Sequence, residues 1–322
     1  IFFATTKGFA RMKIAIIGTG AMGSIYAARL AEAGHTVWAI DKWREHVEVI
    51  NEIGLRVDGP DGEFFVKTVR ATQHLTEAGA CDLYIIATKT NAVAAAAQDI
   101  AKNLGTQSLV LTIQNGLGAD DKIAQYLPAG QIMLGVAEAF GATMKSPGHV
   151  QHTSMKKIRL GAMNSGLDQR LDEVANVWRT GGFEVETYQD IAQLIWEKLL
   201  CNVALSGPCT VFDCNVAELR SNSEWWQIAL GCMAEAFSVG KSKGIAFSFD
   251  DPVAYVTAFA DRVGVAKPSM VQDHHKGQPS EIDSINGSIP PLGASLGIPT
   301  PYNNTITALV KAREAAFEGA GP

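Results

Sequence analysis

Several kinds of chemistry are missing from this chain. No apolar run approaches the roughly 18 residues needed to cross a bilayer. No block of like-charged basic residues marks a surface for nucleic acid or anionic lipid. With 27 Lys and Arg against 33 Asp and Glu, the net charge is −6, so neither nucleic acid nor membrane is an expected partner. Cysteine is scarce. Five scattered residues (Cys81, Cys201, Cys209, Cys214 and Cys232), with no C-x-x-C pair, favour a reduced, cytoplasmic compartment over a disulfide framework. The histidines include His149, His152 and the pair His274-His275, but no H-E-x-x-H and no Cys/His ligand set, so no metal is implied. Residues 1–11 lack an initiator Met and a sustained apolar segment, whereas Met12 stands directly before the first strand-like run. They read as upstream residues and not as a signal peptide. What remains is an ordinary globular composition, 47% hydrophobic and 19% charged over 322 residues, a length that suits two domains.

The chain is organised around residues 13–41. Lys13–Ile17 is short, apolar and β-branched, as a strand buried on both faces of a parallel sheet should be. Gly18, Thr19, Gly20, Ala21, Met22 and Gly23 then spell G-x-G-x-x-G. Residues 24–33 are Ala- and Leu-rich at helical spacing, Gly34 can end that helix, and Thr36–Ile40 is a second apolar strand closed by Asp41. In a dinucleotide-binding unit the first glycine makes the tight turn and the second lets the backbone approach the pyrophosphate. The third lets helix and strand pack closely, and the helix N-terminus faces the negative charge. G-x-G-x-x-G alone is weak evidence; strand before, helix after and an acidic residue about 20 positions on make it specific. Asp41 can accept hydrogen bonds from an adenosine ribose and would repel a 2′-phosphate, which favours NAD(H) over NADP(H). Lys42 and Arg44 follow closely and offer the opposite possibility, a phosphate clamp.

Strands and helices then alternate. A helix is expected over 44–53, and strands over 55–57 and 64–69 flank turn residues 58–62. Further strands are expected over 82–87 and 108–113 with an alanine-rich helix over 92–102 between them. Ligands of such a sheet sit off the carboxyl ends of its strands. Lys89 and Asn115 stand at two such ends, either as solvated loop residues or facing cofactor and substrate. Residues 132–136, 149–152 and 157–160 read as later strands, the last two as an antiparallel pair. A helix over 168–179 and a strand over 183–187 complete an α/β domain of residues 12–189. Residues 190–322 read as an all-helical domain.

That second domain opens with its most telling side chains. Residues 191–205 are nearly all apolar and predict a buried helix, ended by Gly207-Pro208. Lys198, Asn202 and Ser206 lie at i, i+4 and i+8 on one face. A lysine inside such a helix needs a partner or a lowered pKa, and the latter is what a general acid for carbonyl reduction requires. The alternative is a lysine snorkelling at the helix edge with Glu197 as an exposed neighbour. Downstream, residues 223–243 predict a long helix and Asp251-Pro252 the start of another. Residues 280–289 place Ile282, Ile285 and Ile289 on a core face with Glu281, Asp283 and Asn286 off it, and Pro290-Pro291 stops them. Thr300-Pro301 opens the last helix.

Across residues 13–318 the chain resembles the ketopantoate reductase (2-dehydropantoate 2-reductase) family. The resemblance rests on G-T-G-A-M-G at 18–23, T-K at 88–89, Q-N-G at 114–116, W-E-K-L-x-x-N at 196–202, and P-S-M-x-Q-D with E-I-D-S-I-N-G between 268 and 287. It implies a Rossmann-type dinucleotide-binding domain, a C-terminal all-helical domain and a substrate cleft between them, in an enzyme that reduces a 2-keto acid with NAD(P)H. Lys198 would protonate the nascent alkoxide and Glu281 would help orient substrate and lysine. Ser269 would bind the substrate carboxylate. Asn115 and Asn202 would orient the substrate, with Asn115 also near the nicotinamide ribose and Lys89 along the cofactor. Ser206 stands where many members carry a second asparagine and Ala266 where an asparagine often helps hold substrate, so a related 2-keto acid is an alternative to ketopantoate. Asp41 replaces the arginine typical of NADPH-binding members. Two-domain enzymes of this type are often dimers, and a homodimer is expected. An NAD-linked 2-hydroxy acid dehydrogenase working oxidatively is the second reading, and a non-catalytic dinucleotide sensor the third; a sensor has no reason to keep both Lys198 and Glu281.

Overall fold

β1 (Lys13–Ile17) is an interior strand of an eight-stranded sheet in a computed structural model that describes residues 11–60, 62–138, 141–154, 157–162 and 168–317. The reading of residues 1–11 as upstream sequence therefore lies, but for Arg11, outside the described residues. Further strands are β2 (Thr36–Ile40), β3 (Leu55–Gly59), β4 (Gly62–Val66), β5 (Arg70–Thr72), β6 (Leu83–Ile86), β7 (Leu109–Thr112) and β8 (Ile132–Glu138). β9 (Gly141–Ser146), β10 (His149–Ser154), β11 (Lys157–Ala162) and β12 (Glu184–Tyr188) complete the set. The large sheet runs β12-β11-β8-β7-β6-β1-β2-β5, parallel throughout except for the β8–β11 pair. Because β1 is flanked by β2 on one side and β6 on the other, the chain reverses direction of travel there, and ligand-binding loops collect at that point.

Burial on both faces explains the apolar run of β1. Ile14 and Ile16 join one core with Ile25 and Leu30 of α1 (Ala21–Glu32) and with Trp178 of α6 (Asp168–Thr180). Ala15 and Ile17 join the opposite core with Val93 and Ile100 of α4 (Val93–Ala101). Between these come α2 (Arg44–Glu52), α3 (Leu75–Ala78) and α5 (Ala119–Ala124).

A second sheet, β4-β3-β10-β9, corrects one expectation. The stretches at 149–152 and 157–160 are not partners: β10 pairs with β9 and β3, whereas β11 runs antiparallel to β8. The reason is β9 (GATMKS), whose alternation is only two apolar residues long: Ala142 and Met144 pack on the core while Thr143 and Lys145 are exposed, too short a pattern to reveal the partner that β10 takes.

The chain divides by contact density into two units, one ending at residue 191 but lacking residues 115–118, the other comprising 115–118 and the chain from Ala192 onward. The second unit is helical: α7 (Ala192–Phe212), α8 (Val216–Ser221), α9 (Ser223–Ser242), α10 (Pro252–Val263), α11 (Ser269–His275), α12 (Ile289–Leu296) and α13 (Pro301–Ala315). Two expectations change here. α7 runs straight through Gly207-Pro208; residues 203–210 are buried in the helical core, and that packing outweighs the roughly 3 kcal/mol a mid-helix proline costs. Pro290-Pro291 opens α12 instead of stopping a helix, since proline suits the first turn, where amide donors have no helical partner. Ile282, Ile285 and Ile289 are buried as expected, but Asn286 is buried with them.

Candidate active site

The glycine-rich turn closes the carboxyl end of β1. Gly18 has φ +88°, and a side-chain carbon there would come within 2.8 Å of the Thr88 backbone. Thr88, just beyond β6, thus lies against the turn. A side chain at Gly23 would meet the Gly18 carbonyl at 2.1 Å, so the third glycine is what lets α1 start so close to β1. At Gly20 an added carbon meets nothing within 4 Å. Gly20 is the N-cap of α1, makes no side-chain cap bond, and no acidic residue lies in the first turn through Ala21 and Met22. This combination leaves the helix N-terminus open to an anion and fits a dinucleotide pyrophosphate.

Asp41 follows β2 with its carboxylate held from two sides. Oδ1 accepts from the Trp43 backbone N–H at 3.0 Å and Oδ2 from the Thr19 hydroxyl at 3.4 Å. Arg44 turns away from it and pairs with Glu48 one turn down α2, at 2.7 Å. Of the two possibilities at this position, the structure thus presents a fixed carboxylate while its nearest arginine is engaged elsewhere. Lys89 is exposed beyond β6. Gln114, at the end of β7, ties neighbouring strand ends together by donating to the carbonyls of Ile86 at 2.7 Å and Thr88 at 3.2 Å; its role was not anticipated from Q-N-G alone.

The second unit collects the other candidates. Residues 115–118 follow β7 but pack with the helices. Leu117 donates its backbone N–H to the Ser284 carbonyl at 2.9 Å, and Gly116, at φ +87°, passes so close that an added carbon would lie 2.1 Å from the same oxygen. This anchoring brings Asn115 to Glu281, whose Oε2 accepts from Asn115 Nδ2 at 3.4 Å. On α7 the stripe Lys198, Asn202, Ser206 is half-buried, half-buried and buried in turn. Glu197 is not the exposed neighbour expected. It is only 6% exposed, and its Oε1 accepts from Gln193 at 3.0 Å and from the Ser248 backbone N–H at 2.7 Å. Ser269 is exposed and is the first residue of α11, which packs on α7.

A buried polar chain that sequence reasoning missed joins α7 to α13 and α9 within the second unit. Asn286 donates to the Val203 carbonyl on α7 at 2.8 Å and to Asn303 Oδ1 at 3.0 Å. Asn303 in turn donates to Glu235 at 2.7 Å. Among the described residues no group of three or more His, Cys, Asp or Glu is placed to hold a metal ion, and no helix is long and apolar enough to cross a membrane.

Comparison with known proteins agrees over nearly the full length. Residues 14–165 match the family described as ketopantoate reductase PanE/ApbA, and residues 190–314 match its C-terminal counterpart. The chain is 31% identical over 311 residues to the 2-dehydropantoate 2-reductase of Streptococcus pyogenes serotype M6, covering 95% of this chain and 99% of that one. A ternary structure of D-mandelate dehydrogenase with NADH and anilino(oxo)acetate aligns with a TM-score of 0.87 at 31% identity, covering 95% and 100% of the two chains. A PanE/ApbA family ketopantoate reductase from Ralstonia eutropha JMP134 aligns with a TM-score of 0.87 at 29% identity, with coverage of 95% and 100%.

Proposed function

The chain belongs to the ketopantoate reductase family, and from that premise we propose that it reduces a 2-keto acid, ketopantoate or a close relative, to the 2-hydroxy acid with NADH. It is an oxidoreductase of a family that uses a nicotinamide dinucleotide. When bound, the nicotinamide supplies the hydride that reaches the carbonyl carbon. The chain itself supplies the proton and the polar frame.

Lys198 is the proton donor. A carbonyl oxygen that gains negative charge as the hydride arrives needs a donor within hydrogen-bond reach. An ammonium on a largely apolar helix gives its proton to that oxygen and regains one from solvent after turnover. The observation that carries this reading is the bond between Asn115 and Glu281. Two polar residues 166 positions apart meet on the same unit as Lys198, and that meeting needs the tight passage at Gly116. Glu281, held by Asn115, orients substrate and lysine; Asn202 and Ser206 continue the polar stripe, and Ser269 takes the substrate carboxylate. Fixing such groups in advance is worth orders of magnitude in rate.

Asp41 supports NADH over NADPH. Its carboxylate suits ribose hydroxyls and opposes a 2′-phosphate, and Arg44 is engaged with Glu48. Pyrophosphate contacts come from the backbone of residues 18–23, with Lys89 alongside the cofactor. Asp41, together with the likeness to a D-mandelate dehydrogenase, also supports a second reading: NAD+-linked oxidation of a 2-hydroxy acid on the same groups.

The test is steady-state turnover of purified protein on 2-keto acids, including ketopantoate and phenylglyoxylate, with NADH and NADPH in parallel, and on the matching 2-hydroxy acids with NAD+. Reduction with NADH favoured is the expected result. Oxidation alone would establish the second reading, and turnover in neither direction would refute both.

A further inference from the structure

His46 lies on α2, outside every motif noted above, and is completely buried. Both ring nitrogens are used. Nδ1 accepts the backbone N–H of Gly148, from the turn between β9 and β10, at 2.9 Å. An accepting Nδ1 carries no proton, so the neutral ring bears its hydrogen on Nε2. Burial pushes the His46 pKa below its ordinary 6.5, so the ring is neutral at physiological pH.

Nε2 faces the glycine-rich turn. It lies 3.4 Å from the Ser24 hydroxyl, and that hydroxyl donates its single proton to the Thr19 carbonyl at 2.7 Å. Ser24 Oγ can then only accept from His46. The polarity of the chain is settled from end to end: Gly148 N–H to His46, His46 to Ser24, Ser24 to Thr19. Thr19 is the middle residue of G-T-G, and its own hydroxyl donates to Asp41. Trp43, stacked on the imidazole at 5.3 Å between centroids, covers the ring.

We propose that His46 is a positioning residue for the dinucleotide: as the Nε2–H tautomer it holds Ser24 and Thr19, and through them both the pyrophosphate turn and the Asp41 carboxylate. The inference rests on the reading of residues 18–23 and Asp41 as a dinucleotide seat. A seat that binds through backbone N–H groups depends on the turn being rigid before the ligand arrives. Within the turn the Thr19 hydroxyl is engaged with Asp41; through Ser24, His46 adds from α2 a hold on the Thr19 carbonyl.

The two amide isosteres separate its nitrogens. His46→Gln keeps a donor near the Nε2 position, whereas His46→Asn keeps only an acceptor near Nδ1. NADH binding is measured directly by fluorescence titration, and kcat at saturating NADH is recorded for each variant. His46→Asn and His46→Ala should weaken NADH binding by about five- to ten-fold, the span of one lost hydrogen bond. His46→Gln should stay within about two-fold, and kcat should hold in all three. Ser24→Ala, which removes the relay without touching the imidazole, should match His46→Asn. Equal NADH affinity for the Gln and Asn variants, or a wild-type value for Asn and Ser24→Ala, would overturn the proposal. Wild-type protein that binds neither NADH nor NADPH would instead overturn the dinucleotide reading beneath it.

Discussion

Replacing Gly116 by alanine probes how the polar site of the second unit is assembled. Two costs arise there. The first is conformational, because φ at Gly116 is +87° and an L-residue held at positive φ loses about 1–2 kcal/mol. The second is steric. The new methyl would lie 2.1 Å from the Ser284 carbonyl oxygen, whereas ordinary contact begins at 3.4 Å. The obstacle is backbone, so residues 115–118 must withdraw by about 1 Å, which stretches or breaks the Leu117–Ser284 bond at about 1 kcal/mol net. The sum, about 2–3 kcal/mol, lowers the melting temperature by about 5–10 °C. The same withdrawal carries Asn115 away from Glu281, and a misplacement of about 1 Å in a catalytic frame costs about 10²-fold in kcat. Gly118→Ala is the internal control. Gly118 has φ +83° but nothing within 4 Å of the added carbon, so it incurs the conformational cost alone and should keep near-normal kcat. Differential scanning calorimetry and steady-state kinetics on both variants decide the matter. A Gly116→Ala protein with wild-type kcat, or one no worse than Gly118→Ala, would refute the idea that anchoring 115–118 sets the catalytic geometry.

Lys198→Ala should lower kcat by about 10²- to 10⁴-fold, the usual span for a lost general acid, with NADH affinity nearly intact. Turnover within ten-fold of wild type would remove the lysine from the chemistry. Acid should destabilise the first unit through His35 and His46, whose pKa values burial holds below the ordinary 6.5. The unfolded chain takes up these protons near pH 6.5 while the folded one resists, so their contribution to stability is present above pH 6.5 and lost as pH falls below it. Urea midpoints at pH 7.5 and 5.5 read this out. His46→Gln should flatten part of the dependence, and an unchanged slope would show that other groups set it.

The strand-turn-helix-strand unit proposed as the dinucleotide seat was legible because its parts are contiguous: an apolar strand, three glycines, a helix and an acidic residue at the next strand end. The strand ends at Lys89 and Asn115 were legible for the same reason, as turns following buried runs. What stayed hidden is polar and remote. Nothing near Asn115 in sequence announces that residues 115–118 leave the strand's own unit to bond Ser284. Glu197 and Lys198 are neighbours in sequence, yet Glu197 is buried because it satisfies Ser248 on a different segment. Asn286 followed the rule that polar residues face out, and failed it because its partners lie on α7 and α13. His46 gave no signal at all, since its partners come from α1 and from a turn in the second sheet. Apolar burial is governed by periodicity along the chain, so a single sequence reveals it. A buried polar group must instead find a specific partner wherever the fold brings one. The polar residues that hold the candidate groups in place belong mostly to that second kind, so motifs pointed to the groups proposed to react while their supports appeared only in the folded chain.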